Sequence, residues 1–128
     1  MSGFAILNLK ELEDSVGARV PGIEGRFGRS SLDSEHLGIS LFRYAAGFRP
    51  SGGHQHREQE EAYIVLAGSG RILLDGEVRE LRQWDVVRVS PPVVRAIEAG
   101  PDGIEFIAVG SDRPEGGDGH QVSVEWPD

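Results

Sequence analysis

The stretch GFRPSGGHQHREQEEAYIVLAG, residues 47–68, decides how the rest of the chain is read. It opens with a turn punctuated by Gly47, Pro50, Gly52 and Gly53. His54 and His56 follow, two imidazoles at i and i+2. In an extended chain that spacing puts both side chains on one face. Glu58, Glu60 and Glu61 come within the next five residues, and the apolar run Ala62 to Ala67 then reads as a strand. If the backbone bends or bulges past His56, one carboxylate returns to the imidazoles. Two imidazoles and one carboxylate on a shared face would suit Zn, Mn, Fe(II), Ni or Cu. Taken alone, a short His-x-His is more often a pair of exposed histidines in a charged loop.

On both sides of this stretch the chain reads as short strands separated by turns. Phe4 to Leu9 is an apolar strand candidate, Lys10 to Asp14 fits one helical turn, and a loop from Arg19 to Ser34 carries a strand around Gly25 to Arg29. Leu37 to Ala46 is a clear strand, with Leu37, Ile39, Leu41 and Arg43 on one face and Ser40, Phe42 and Tyr44 on the other. Gly68-Ser69-Gly70 predicts a turn, Arg71 to Leu74 a returning strand, and Asp75-Gly76 a tight primed hairpin. Glu77 to Leu81, Trp84 to Val89, Val94 to Glu98 and Ile104 to Val109 complete the series. Asp112 to His120 is rich in Gly and charge and reads as a flexible tail, with Gln121 to Trp126 as an edge strand. Such spacing predicts an all-β fold, and periodicity alone does not choose between barrel, jelly roll and sandwich.

Composition sets the outer limits. A chain of 128 residues suits one domain. With 18 Gly and 7 Pro, long helices are disfavoured. A net charge of −8 disfavours nucleic acid and anionic membrane surfaces as partners. The lack of cysteine excludes disulfides and thiolate metal sites but leaves His/Asp/Glu sites open. The N-terminal residues show no basic region of a signal peptide, and no apolar run approaches bilayer-spanning length, so a cytoplasmic protein is expected. There is no Gly-x-Ser-x-Gly, phosphate loop or dinucleotide fingerprint. Any enzymatic chemistry would therefore rest on a metal or on the His/Glu cluster.

Residues 47–68 resemble the first motif of the cupin superfamily: a Gly, a short spacer, His-x-His, three or four residues, Glu, six residues, then Gly. His54 and His56 match, and Glu61 is the glutamate that leaves six residues before Gly68. Glu60 would serve under the three-residue variant, and the spacer after Gly47 is one residue longer than usual. Residues 68–94, GSGRILLDGEVRELRQWDVVRVSPPVV, resemble the hairpin between the motifs and the start of the second. The resemblance runs from about Leu37 to Val109. It implies a single-domain, type-2-like cupin over residues 1–128, folded as a double-stranded β-helix, a jelly-roll-like barrel. In that family a His of the second motif completes the metal site. Here Trp84-Asp85 replaces the usual Gly-Asp, Ser90 stands for Pro, Pro92 for Gly, and Arg95 for the ligand His. A guanidinium has no lone pair to give a metal. The remaining histidines, His36 and His120, lie outside both motifs.

Two functional readings stand on the sequence. In the first, the protein binds a small polar or anionic molecule beside a divalent metal (Fe, Mn, Ni, Zn or Cu) held by His54, His56 and Glu61. Arg95 then contacts the substrate, and dioxygenase, isomerase or lyase chemistry follows. In the second, a ligand-binding or sensor module holds no metal, and Arg95 pairs with Glu61 or anchors an anion. Tyr63 shares the parity of Glu61, and Tyr63, Tyr44 and Phe106 are candidates for lining the ligand cavity as well as for plain wall packing. Trp84 is expected to pack a barrel end and Asp85 to order its turn. Cupin relatives commonly dimerise through terminal strands, so a homodimer using Phe4 to Leu9 and Gln121 to Trp126 is expected.

Overall fold

The computed structural model describes residues 3–128. A 3₁₀ turn, Leu9–Glu11, precedes eight strands. These are β1 (Ile23–Phe27), β2 (Gly38–Tyr44), β3 (Gly53–His56) and β4 (Glu61–Leu74), then β5 (Glu77–Arg82), β6 (Val86–Val89), β7 (Arg95–Gly110) and β8 (Gly119–Val122). No helix among the described residues is long and apolar enough to cross a membrane.

Two long strands organise the barrel. Residues 104–110 of β7 lie between β2 and β4, with Phe106 opposite both Phe42 and Val65. Residues 95–99 of β7 pair with the far end of β4, and Arg95 faces His54 across the ladder to β3. β4 pairs with β6 through its first half and with the β5 hairpin through its second. Each long strand thus serves both ends of the barrel, which requires a bend midway.

The bend is where Gly68-Ser69-Gly70 was expected to turn the chain. Instead, β4 continues through these residues, and its register against β7 shifts there. Gly68 has φ +74°, and a Cβ on it would lie 2.1 Å from the Gly103 carbonyl oxygen. Glycine allows both the positive φ and the close crossing, so the strand kinks without ending. The Asp75-Gly76 hairpin does form, with φ 48° and 87° at its two central residues.

The core gathers on the inner face around Phe106. Its ring stacks on Phe42 at 5.4 Å and meets Tyr44 and Tyr63 edge-on at 5.3 and 5.8 Å. Val65, Ile72, Leu81, Val89 and Ile97 close the cluster. Phe42 and Tyr44 therefore face inward, as the alternation of Leu37 to Ala46 requires. Leu41 is buried too, on the opposite face, where the 3₁₀ turn packs against β1 and β2.

Other expectations need correction. Phe4 to Leu9 pairs with no strand, and Phe4 and Ile6 stand exposed. Trp84 packs no barrel end: it sits at φ +74° and is 69% exposed. Asp85 does order that turn, accepting the Arg82 N–H at 2.8 Å. The segment 112–120, read as a loose tail, is anchored at Asp118, which is buried beneath β3 contacts described below.

Candidate functional site

β3 carries His54 and His56, β4 begins with Glu61, and β7 begins with Arg95. Strand pairing alone brings Arg95 opposite His54. The loop 57–60 then doubles back so that Glu61 meets the imidazoles. His54 Nε2 lies 3.4 Å and His56 Nε2 3.2 Å from Glu61 Oε1, and the three candidate ligand atoms all fall within 4.8 Å of one another. Glu60 does not take part. It faces outward and pairs with Arg88 at 3.0 Å, both side chains well exposed. Glu61 is thus the carboxylate of the cluster.

Asp118, which sequence reasoning missed, fixes His56. Its Oδ2 accepts the backbone N–H groups of Arg57, Glu58 and Gln59 at 3.1, 2.7 and 2.9 Å. Its Oδ1 lies 2.9 Å from His56 Nδ1 and accepts the Gln59 amide at 3.1 Å. Burial alone would raise the Asp118 carboxyl, but the Glu58 and Gln59 N–H groups outweigh it and hold it far below the usual range. An ionised carboxylate can only accept, so His56 Nδ1 must carry the proton. In the neutral ring, Nε2 then presents a lone pair to Glu61 Oε1. That nitrogen is buried and has no hydrogen-bond partner. The contact at 3.2 Å does not meet hydrogen-bond geometry, so in the neutral ring two electron-rich atoms face each other with no donor between them.

Glu61 Oε1 is otherwise well supplied. It accepts from Tyr63 OH at 2.7 Å, from Arg95 Nη2 at 3.2 Å and from His54 Nε2 at 3.4 Å. Oε2 takes part in none of these bonds. Burial pushes the Glu61 carboxyl up, but the hydrogen bonds from His54 and Tyr63 prevail and bring it to about 2. Burial and the Glu61 charge drive the Tyr63 phenol far above its ordinary value, so it remains a donor.

Arg95 is 1% exposed, and its donors are directed inward. Nη1 donates to the Pro91 and Val93 carbonyls at 3.0 and 2.7 Å, Nε to Tyr63 OH at 3.2 Å, and Nη2 to Glu61. The Glu61–Arg95 pairing, which the sequence offered as one alternative for the metal-free protein, is formed at 3.2 Å. At most one of five N–H groups is left for a ligand.

Two cavities flank this cluster, and Glu61, Phe42 and Ala108 line both. One, of about 350 Å³, is walled by aromatic and apolar side chains, Tyr44, Phe48, Ile97 and Phe106 among them, with His54, Tyr63 and Arg95 at its polar end. Burial pushes the Tyr44 phenol up to about 12, so it enters the cavity wall as a neutral group. The other, of about 400 Å³, holds His56, Asp118, Arg29, Ser40 and Arg113.

The donor set fits a divalent metal. Two imidazole nitrogens and a carboxylate suit Zn, Cu, Fe or Ni, and Mn tolerates such a set. Bonds near 2.0–2.1 Å in a tetrahedral site separate ligand atoms by about 3.3 Å. The distances of 3.2 and 3.4 Å to Glu61 match that spacing. A bare His56 lone pair held by a carboxylate behind it is the arrangement that metal-bound histidines use.

A barrel built on two long bent strands, with His54, His56 and Glu61 at one mouth, is the double-stranded β-helix of the cupins, and the chain is a cupin by fold. A cupin protein from Bacteroides fragilis superposes with a TM-score of 0.73 at 26% identity, covering 88% of this chain and 86% of that one. A cupin-superfamily sugar phosphate isomerase from Silicibacter pomeroyi gives 0.74 at 21% identity over 86% of this chain and 77% of that one. A variant of Bacillus subtilis oxalate decarboxylase gives 0.76 at 20% identity, covering 91% of this chain but only 32% of that one. No family model and no curated protein matches the sequence.

Proposed function

We propose that the protein is a small-molecule-binding cupin whose His54, His56 and Glu61 hold one divalent metal at the mouth of the aromatic cavity. The observation that carries this reading is the buried, partnerless His56 Nε2 aimed at Glu61. A cation beside the pair would satisfy both atoms. Glu61 Oε1, at ligand spacing from both imidazole nitrogens, would be the carboxylate atom at the metal, with Tyr63 and Arg95 still donating to it. Bound there, a divalent ion would act as a Lewis acid with positions open to a ligand oxygen. The chain's own residues would orient that ligand. Tyr63 and Arg95 hold Glu61 ionised, Asp118 fixes the His56 tautomer, and the Phe48–Phe106 wall excludes water. Such a centre serves dioxygenase, isomerase or lyase chemistry.

A second reading is favoured by Arg95, whose fixed charge already compensates Glu61. In it the cavity binds a ligand without metal. Calorimetric titration of chelator-treated protein with Mn(II), Fe(II), Ni(II), Cu(II) and Zn(II) separates the two. The metal reading expects one-to-one binding, weakened at least about tenfold by His56→Ala. Absence of stoichiometric binding by any of these ions supports the metal-free module.

We also propose a homodimer that uses the exposed Phe4 and Ile6. The other expected contact strand is engaged within its own chain. Gly119–Val122 pair with β3, and Trp126 lies beneath the guanidinium groups of Arg49 and Arg71 at 4.7 and 5.3 Å. Light scattering that finds a monomer at high concentration contradicts the dimer.

A further inference from the structure

Arg29 differs from Arg95 in what its donors do. Its guanidinium lies across the backbone of Gly38 and beside Gly110, two residues that face each other in the β2–β7 ladder. A Cβ on Gly38 would come within 2.4 Å of Arg29 Nη2 and 2.9 Å of Cζ. Any larger residue there would displace the group, so the two glycines form its cradle. Nη2 donates to the Ser111 carbonyl at 2.8 Å and to Gln59 Oε1 at 3.3 Å. Nε and Nη1 make no hydrogen bond among the described residues, which leaves three N–H groups open. No carboxylate lies within ion-pair distance of Arg29 among the described residues, although its side chain is part-buried.

The polar cavity that Arg29 lines contains two carboxylates, Asp118 engaged through both oxygens and Glu61 through Oε1. Asp118 accepts three backbone N–H groups, an amide and His56, while Glu61 Oε1 accepts Tyr63, Arg95 and His54. Arg113, exposed at the rim, has no ion-pair partner among the described residues and adds a second positive charge. Ser30 and Ser40 complete a lining with more open donors than open acceptors. A part-buried guanidinium without a counter-charge gains charge-assisted hydrogen bonds when an anion replaces water at its open donors.

We propose that this cavity is an anion site and that Arg29, not Arg95, is the residue that anchors the anionic group of the ligand. The group is a carboxylate or a phosphoryl group, held by the open Nη1 N–H groups of Arg29 with its remainder beside His56 and Glu61. Only that last placement rests on reading the His/His/Glu cluster as the ligand-facing centre. The anion site itself stands without a metal.

The test follows arginine Nε–H signals by ¹⁵N NMR in chelator-treated, full-length protein at constant ionic strength. Acetate, inorganic phosphate and uncharged acetamide are the probes, and Arg29→Lys assigns the Arg29 signal. The expected result is a saturable shift of Arg29 with acetate, phosphate or both, none with acetamide, and an unmoved Arg95. Response to acetate alone identifies a carboxylate site, and response to phosphate alone a phosphoryl site. Arg29→Lys, which keeps the charge but loses the open guanidinium donors, should weaken anion binding at least about tenfold. A shift at Arg95 instead, or only unsaturable drift shared by exposed arginines, overturns the proposal. Because metal is excluded throughout, failure here leaves the metal titration unaffected.

Discussion

The two cavities that share Glu61 are built from opposite materials. On one side, Phe48, Ile97 and Phe106 form a wall whose polar end is closed by Arg95 and Tyr63. On the other, Arg29, Arg113 and two serines face His56 and Asp118. The difference lies in how each side treats its arginine. Arg95 is fully buried and its donors are taken up by carbonyls, a phenol and Glu61. Arg29 is part-buried and bonded through one nitrogen only. A guanidinium can therefore be a structural member or a ligand anchor, and donor accounting distinguishes them better than position in a motif does.

The largest effect expected from breaking this contrast belongs to Asp118. Asp118→Ala strips the acceptor from three backbone N–H groups, that of Gln59 buried, and from His56, and should cost roughly 3–5 kcal/mol in urea unfolding. Metal affinity should fall by about 10–100-fold through loss of the His56 anchor, measured by calorimetry on the folded fraction. Next comes the arginine pair itself. Arg95→Met leaves the Glu61 charge and two carbonyls short of donors and should cost roughly 3 kcal/mol, whereas Arg29→Met should cost about 1 kcal/mol. Equal losses would erase the distinction between them.

A smaller effect is expected from pH. The folded Glu61 carboxyl lies at about 2, below its ordinary 4.5. A lowered folded value contributes stability above the unfolded value, and that contribution is lost as pH falls through the folded one. Chelator-treated protein should thus lose stability between about pH 4.5 and 2, and Glu61→Gln should flatten that part of the curve. An unchanged slope in the variant means Glu61 is not held ionised by its neighbours. The smallest effect belongs to Glu60→Gln. Its exposed pair with Arg88 should be worth less than about 1 kcal/mol, with metal affinity unchanged. Altered affinity would reopen the choice between Glu60 and Glu61.

Much of this site was legible in the sequence because strand parity is local. His54 and His56 share a face by their spacing, Tyr63 follows Glu61 by the same rule, and Arg95 falls opposite His54 once β3 and β7 pair. Glu61 over Glu60 followed from the distance to Gly68, which is now seen as the kink of β4 rather than a turn. What the sequence hid depends on long-range placement. Asp118 lies in a Gly-rich segment that looks unstructured, and only the pairing of β8 with β3 brings it under His56. Arg29 gives no local signal either, because its cradle consists of two glycines 72 positions apart, Gly38 and Gly110, joined by the β2–β7 register. The exposure of Trp84 was missed because a large apolar residue at a turn was assumed to find cover.

The central claim, that His56 offers a metal-ready lone pair beside His54 and Glu61, is tested most directly by imidazole ¹⁵N NMR of chelator-treated protein as one equivalent of Zn(II) is added. The account predicts a protonated His56 Nδ1 throughout, with the Nε2 signals of His54 and His56 both moving to new positions that saturate at one equivalent. A His56 protonated at Nε2, or imidazole signals indifferent to the ion, would contradict it.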